Sequence, residues 1–244
     1  MQTNEQDRTG GARLLGPLGA LALGLVLIIN LASAGNPNPR VSPIQSTPYG
    51  KSYGEWAVAW WQWALSIPAD RNPLTDTTGE FAGESQHGPV WFVAGTFGNS
   101  AERSFTVPAG KAIFMPVFNW IFGSGVFDCD PTVPGVTCDV PTLQATAAVN
   151  TEAAEVLEVS IDGVPLQNVR GYRARSPGPF SITYPENSVV GVPAGNYSPQ
   201  VADGYWLLLE PLAKGTHEIH IRAGASHTSN GPIAFDVVDH ITVQ

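Results

Sequence analysis

Basic residues are scarce in this chain. Lys and Arg number 12 in 244 residues, against 21 Asp and Glu, for a formal net charge of -9. Gripping a phosphate backbone or an anionic lipid surface takes clustered positive charge, so neither nucleic acid nor lipid headgroups are expected partners. Cysteine is scarcer still, with two residues, too few for a disulfide-built scaffold and without a second ligand pair at zinc spacing. The Gly-x-Ser-x-Gly elbow of serine hydrolases is absent. His217-Glu218-Ile219-His220 is not the helical H-E-x-x-H motif. On a strand its two imidazoles point to opposite faces and share no metal. No motif implies a cofactor. Charged residues make up only 14% of the chain and hydrophobic ones 43%, the balance of a folded body rather than a disordered one.

There is one long apolar run. Arg8 and Arg13 precede Leu14 to Leu31, and the small residues Ala32-Ser33-Ala34 follow. This order predicts a secretory signal cut after Ala34. The run is also about the length of a bilayer span, which leaves a retained anchor as the alternative. Gly16, Pro17 and Asn30 weaken a permanent helix there, and no Cys stands at the cut to carry a lipid. The expectation is a secreted or periplasmic protein that touches a membrane only through an uncleaved signal. Removing residues 1–34 deletes Glu5, Asp7, Arg8 and Arg13, so the net charge is unchanged. The organisation read from these features is a signal at 1–34, an extended polar arm at 35–51 and a single domain at 52–244.

Cys129 and Cys138 bracket a segment with two prolines and a glycine, a surface loop by composition. An oxidising compartment would bridge them, stabilising the fold by roughly 2.5–3 kcal/mol on chain-entropy grounds. Asp128, Asp130 and Asp139 flank that loop. They are the weak candidates for a cation site, although such clusters are usually solvated surface, and no metal is expected.

Ser52-Tyr53-Gly54-Glu55 is a capping box. The helix it opens carries Trp56, Trp60, Trp61 and Trp63 and stops before Pro68. At 100° per residue only Glu55, Gln62 and Ser66 form a polar strip, so the helix is expected to be buried. A long polar loop follows, Arg71 to Gly88. Pro89 to Ala94 and Lys111 to Phe118 read as strands covered on both faces, with Pro116 marking a bulge or an edge. A second helix is expected from Pro141 to Ala154, with Asp139 as N-cap. Val156 to Ile161 alternates as a strand, Asp162-Gly163 is a hairpin turn, and Val164 to Ala174 reads as the returning strand. Phe180 to Tyr184 is short, and a loop is expected from Pro185 to Gly204. Three C-terminal strands complete a mainly β chain. The fold class is an antiparallel β-sandwich, jelly-roll-like, with one Trp-rich helix packed on it and a second short helix.

Strand parity singles out one pair. His217, Ile219 and Ile221 share a face, as do Phe235, Val237, Asp239 and Ile241. A hairpin centred near Thr228 sets His217 opposite Asp239. A buried Asp needs a partner, so a His217–Asp239 pair is the expectation, and a structural role outweighs a catalytic one. His87, with Asp76, Glu80 and Glu84 in the long loop, is the other weak acid–base candidate.

Trp60-Trp-Gln-Trp63, Gly88-Pro-Val-Trp-Phe-Val-Ala-Gly95, Val107-Pro-Ala-Gly-Lys111 and Asp203-Gly-Tyr-Trp206 together resemble uncharacterised exported bacterial proteins. The resemblance implies a compartment and no activity. Two function classes follow from the residues. One is a binding or structural module for a saccharide or another small apolar-faced ligand, with Trp60, Trp61, Trp63, Trp91 and Tyr205 as the stacking candidates. The other is an exported hydrolase or lyase using His217, Asp239 or His87. Convergence of acids and imidazoles with an aromatic in one pocket would favour the second.

Overall fold

The computed structural model describes residues 38, 40–125 and 138–244. The expected signal at 1–34, Cys129, Asp128 and Asp130 lie outside these residues. Among those described, no helix is long and apolar enough to cross a membrane.

Helix α1 (Tyr53–Ser66) starts where the capping box places it. The Ser52 hydroxyl accepts from the Glu55 backbone N–H, and the Glu55 carboxylate accepts from the Ser52 N–H at 2.7 Å. It ends at Ile67, because the residue before Pro68 is sterically driven out of helical geometry. The Asn72 side-chain amide then donates to the Ala64 and Ile67 carbonyls that the helix leaves open. Glu55, Gln62 and Ser66 are its only exposed residues. Gly54 is required in the first turn: a Cβ there would lie 2.1 Å from the Arg175 carbonyl oxygen.

The strands are β1 (Val90–Phe92), β2 (Ala101–Val107), β3 (Ala112–Gly123), β4 (Val156–Ile161), β5 (Val164–Pro165), β6 (Arg173–Arg175), β7 (Phe180–Tyr184), β8 (Gly195–Leu209), β9 (Gly215–Ala225) and β10 (Ile233–Val243). Helix α2 (Val140–Glu152) precedes β4 and is capped by Asp139, which accepts from the Thr142 N–H. One sheet has the order β1-β3-β8-β6, with β7 also on β8; the other runs β2-β10-β9-β4-β5. They pack as a sandwich, with Phe118 of the first stacked 6.4 Å from Phe235 of the second. Phe114 and Trp206 of the first sheet meet Trp56 and Trp60 of α1. The Trp helix therefore covers the first sheet, and β3 is buried along nearly all its length, as its continuous apolar run requires. The expected bulge at Pro116 is present, between Pro116 and Phe118.

Most pairings are antiparallel, with one exception at an edge of each sheet. β1 runs parallel to β3, and β2 parallel to β10. The returning strand is short: β5 ends at Pro165, one more bond joins the Leu166 N–H to the Val159 carbonyl, and the chain leaves through a turn at Val169–Tyr172 to join the other sheet as β6. The expected loop at 185–204 is instead half strand, because β8 begins at Gly195. Its polar residues are tolerated by having partners. Gln200 donates to the Ser124 carbonyl, and buried Asp203 accepts from Arg173 and Arg175. Within the polar arm, Val41 bridges Leu209, and the Ser42 N–H donates to the Leu208 carbonyl.

The two parallel edge strands are consecutive in the chain, so residues 93–100 cross from one sheet to the other. β1 leaves β3 after Phe114, and β2 joins β10 only from Val237 onward. Past those points β3 pairs only with β8, and β10 only with β9, among the described residues. The crossover spans the gap between these two half-paired strands.

Candidate functional site

A cleft of about 430 Å³ opens at that gap, within the range of about 300–1,000 Å³ usual for small-molecule sites. Its aromatic walls are Trp60 and Trp61 of α1, Phe97 of the crossover, Phe118 and Trp120 of β3, and Phe235 of β10. Phe97 is 40% exposed at the lip. Thr96, Asn119, Thr228 and Asn230 supply polarity, and among the described residues no Asp, Glu, His, Lys or Arg lines the cleft. The crossover is seated by Gly98, which takes φ +89° and would bring a Cβ within 2.9 Å of Ile233.

One buried ion pair fixes the cleft wall from behind. Arg103 and Asp239 stand directly opposite in the β2–β10 register, 3% and 0% exposed. The guanidinium donates from Nε to Asp239 Oδ1 at 2.7 Å and from Nη2 to Oδ2 at 3.2 Å. Nη2 also donates to the carbonyl of Ala94, a cleft residue, at 2.8 Å. Burial pushes the Asp239 carboxyl above its ordinary value, and the charge of Arg103 opposes that rise. The crossover is held from the α1 side as well, where the Trp60 indole N–H donates to the Val93 carbonyl at 2.8 Å.

Asp239 is thus buried as its parity implied, but its partner is Arg103 rather than His217. The β9–β10 hairpin sets Asp239 opposite Ile219 and His217 opposite Ile241. This is two residues from the expected register, so every side chain keeps its face and changes its neighbour. His217 bonds instead to Asp162 through Nδ1, at 3.0 Å to Oδ2, and to the Ala213 carbonyl through Nε2. Burial would raise the Asp162 carboxyl, but hydrogen bonds from His217, the Glu218 N–H and Arg40 hold it below its ordinary value. His87 is exposed in the long loop, and neither it nor His217 or Asp239 lines the cleft. Asp76, in the same loop, accepts from the backbone N–H groups of Thr78, Gly79 and Phe81. These bonds outweigh its burial and keep the carboxyl low, a turn-building role.

No protein-family model matches the chain, and no curated protein or solved structure is similar to it.

Of the five stacking candidates, the structure brings Trp60 and Trp61 to the cleft. Trp63 packs against Phe92 and donates to the Glu84 carbonyl. Trp91 and Tyr205 are buried within β1 and β8. Asp139 serves α2 as its cap, and the described residues contain no group of three or more ligands fit for a metal ion. Thr96, Phe97, Asn119 and Trp120 were not legible as site residues. Asn119 and Trp120 lie just past the expected end of the β3 strand. An exposed aromatic ahead of a glycine, Phe97-Gly98, was the signal available for the lip.

Proposed function

We propose that this protein is an exported binding module that takes a small uncharged ligand with an apolar face, such as a saccharide, in the cleft framed by the 93–100 crossover. The observation that carries the reading is the lining: among the described residues, six aromatic side chains, four neutral polar ones and no ionisable group surround about 430 Å³. Such a wall stacks on the ring face of a sugar and hydrogen-bonds its rim, and offers nothing to compensate a charged ligand. His217, His220 and His240 sit elsewhere, each against a carboxylate, which favours binding over acid–base chemistry. Export, and with it a Cys129–Cys138 bridge in an oxidising compartment, belongs to the same proposal.

The test is a glycan array run beside a hydrolase and lyase substrate panel on the purified protein, with Phe97→Ala as the control. Phe97 is 40% exposed and lines the cleft, so its loss removes a stacking ring from the mouth without disturbing the core. Neutral glycans are expected to bind the wild type and to bind Phe97→Ala at least about tenfold more weakly, a loss of about 1.4 kcal/mol. Turnover in the substrate panel, or binding that ignores the loss of Phe97, would overturn the reading.

A further inference from the structure

The turn between β9 and β10 forms a further wall of the cleft. Its Thr228, Asn230 and Pro232 line the cavity, and Asn230 and Pro232 are exposed. The turn is locked on itself. The Thr228 N–H donates to the Gly231 carbonyl at 3.2 Å, and the Gly231 N–H donates to the Thr228 carbonyl at 3.1 Å. Gly231 takes φ +88°, a conformation that favours glycine. The Thr228 hydroxyl accepts from the Asn230 N–H. The tie to the body of the fold comes from another element. Asn150 of α2 is 2% exposed. Its Oδ1 accepts from the Ser229 N–H at 2.7 Å, while its Nδ2 donates to the Thr146 carbonyl. At the base of the turn the Ser226 hydroxyl donates to Glu155. A buried amide is destabilising unless both its ends are bonded, and one end of this one is committed to a turn 79 positions away in the chain.

We infer that Asn230 is a specificity-determining residue of the cleft, reading ligand hydroxyls, and that Asn150 is the positioning residue that holds it in place. This rests on the cleft being the binding site and goes further by naming the polar group that the ligand must offer. Asn230 is exposed. Among the described residues its side chain makes one hydrogen bond, accepted by Oδ1 from the Ser229 hydroxyl at 3.4 Å. A carboxamide donates through its nitrogen and accepts through its oxygen. It therefore matches two neighbouring hydroxyls, one accepting and one donating, as a polyhydroxylated ring presents them. A bare ring of the same size finds only the aromatic contacts. Fixing the turn beforehand lowers the ordering cost of binding, which is what the buried amide of α2 contributes.

The experiment titrates two probes, methyl glucoside and methoxycyclohexane, into the protein carrying ¹³C-labelled isoleucine and valine methyls. Both have a six-membered ring and a methoxy group, and only the first has hydroxyls. Methyl glucoside is expected to move the methyls of Ile121, Ile221 and Val237, which line the cleft. Asn230→Ala is expected to weaken methyl glucoside about five- to tenfold, the equivalent of one hydrogen bond, and to leave methoxycyclohexane within about twofold. Asn150→Leu takes the acceptor from the Ser229 N–H and is expected to weaken methyl glucoside by a similar factor. In the double variant the two losses should not multiply, because Asn150 acts through Asn230. Hydrogen exchange of the wild-type Ser229 amide tests the anchor even where Asn150→Leu fails to fold, with exchange at least about tenfold slower than in free peptide expected. Equal weakening of both probes by Asn230→Ala, weakening of neither, losses that multiply in the double variant, or a Ser229 amide exchanging at the free-peptide rate would overturn the inference while leaving the cleft as the site. Silence of the cleft methyls with both probes would overturn the site and the inference together.

Discussion

Arg103→Met is expected to cost about 3–5 kcal/mol of unfolding free energy at neutral pH, the usual consequence of removing one partner from a buried ion pair. The substitution strands Asp239, which is 0% exposed, and leaves the Ala94 carbonyl without its donor. The loss has a pH signature whose sign follows from burial. Asp239 is already raised by desolvation, and Arg103 is what opposes the rise. Without it the folded-state carboxyl titrates higher still above its unfolded value. A carboxyl raised on folding contributes stability below its unfolded pKa and loses it as pH climbs through the folded one. The deficit of Arg103→Met is therefore widest at neutral pH and narrows as pH falls toward the ordinary carboxylate value. Urea unfolding of wild type and variant at several pH values measures it. The double variant Arg103→Met/Asp239→Leu, which leaves no orphaned charge, is expected to regain most of the lost stability. A deficit that is flat with pH would contradict the burial of an ionisable partner.

The second large effect is expected at Trp206. It is 0% exposed, stacked on Phe114 at 5.3 Å and met edge-on by Trp60 at 5.5 Å. It therefore sits where the first sheet receives α1. Trp206→Ala opens a cavity that neither layer can close and should cost about 3–5 kcal/mol. Trp206→Phe should cost less than half of that. It keeps an aromatic between Phe114 and Trp60, and it removes a buried indole N–H that has no partner among the described residues. Chemical denaturation separates the two variants. Equal losses would mean that the stacking contributes little.

Local chemistry makes α1 readable from the residues alone. Ser52 and Glu55 fixed its start, Pro68 its end, and the three-residue polar strip its burial, because a helix carries its own periodicity. Hairpin parity was equally local. Asp239 was placed inward correctly, since a two-residue slip leaves each side chain on its face. Its partner was out of reach because Arg103 arrives from a parallel edge strand 136 positions away, and nothing in either segment announces that pairing. The same limit hid most of the cleft. Trp60 and Trp61 were visible as aromatics on a helix. Thr96, Phe97, Asn119 and Trp120 became neighbours of them only through the crossover between sheets. The first half of β8 is hidden for a different reason: Gln200 and Asp203 look like loop residues, and only their distant partners make them compatible with a strand.

On this proposal the cleft at the crossover is where a small uncharged ligand is held. The most direct measurement is methyl chemical-shift mapping during titration with a neutral methyl glycoside. Shifts are predicted at Ile121, Ile221, Ile233 and Val237 around the cleft, with none at Val149, Val156 or Val164, which are exposed and do not line it. Saturable shifts at those outer methyls, with the cleft signals fixed, would contradict it.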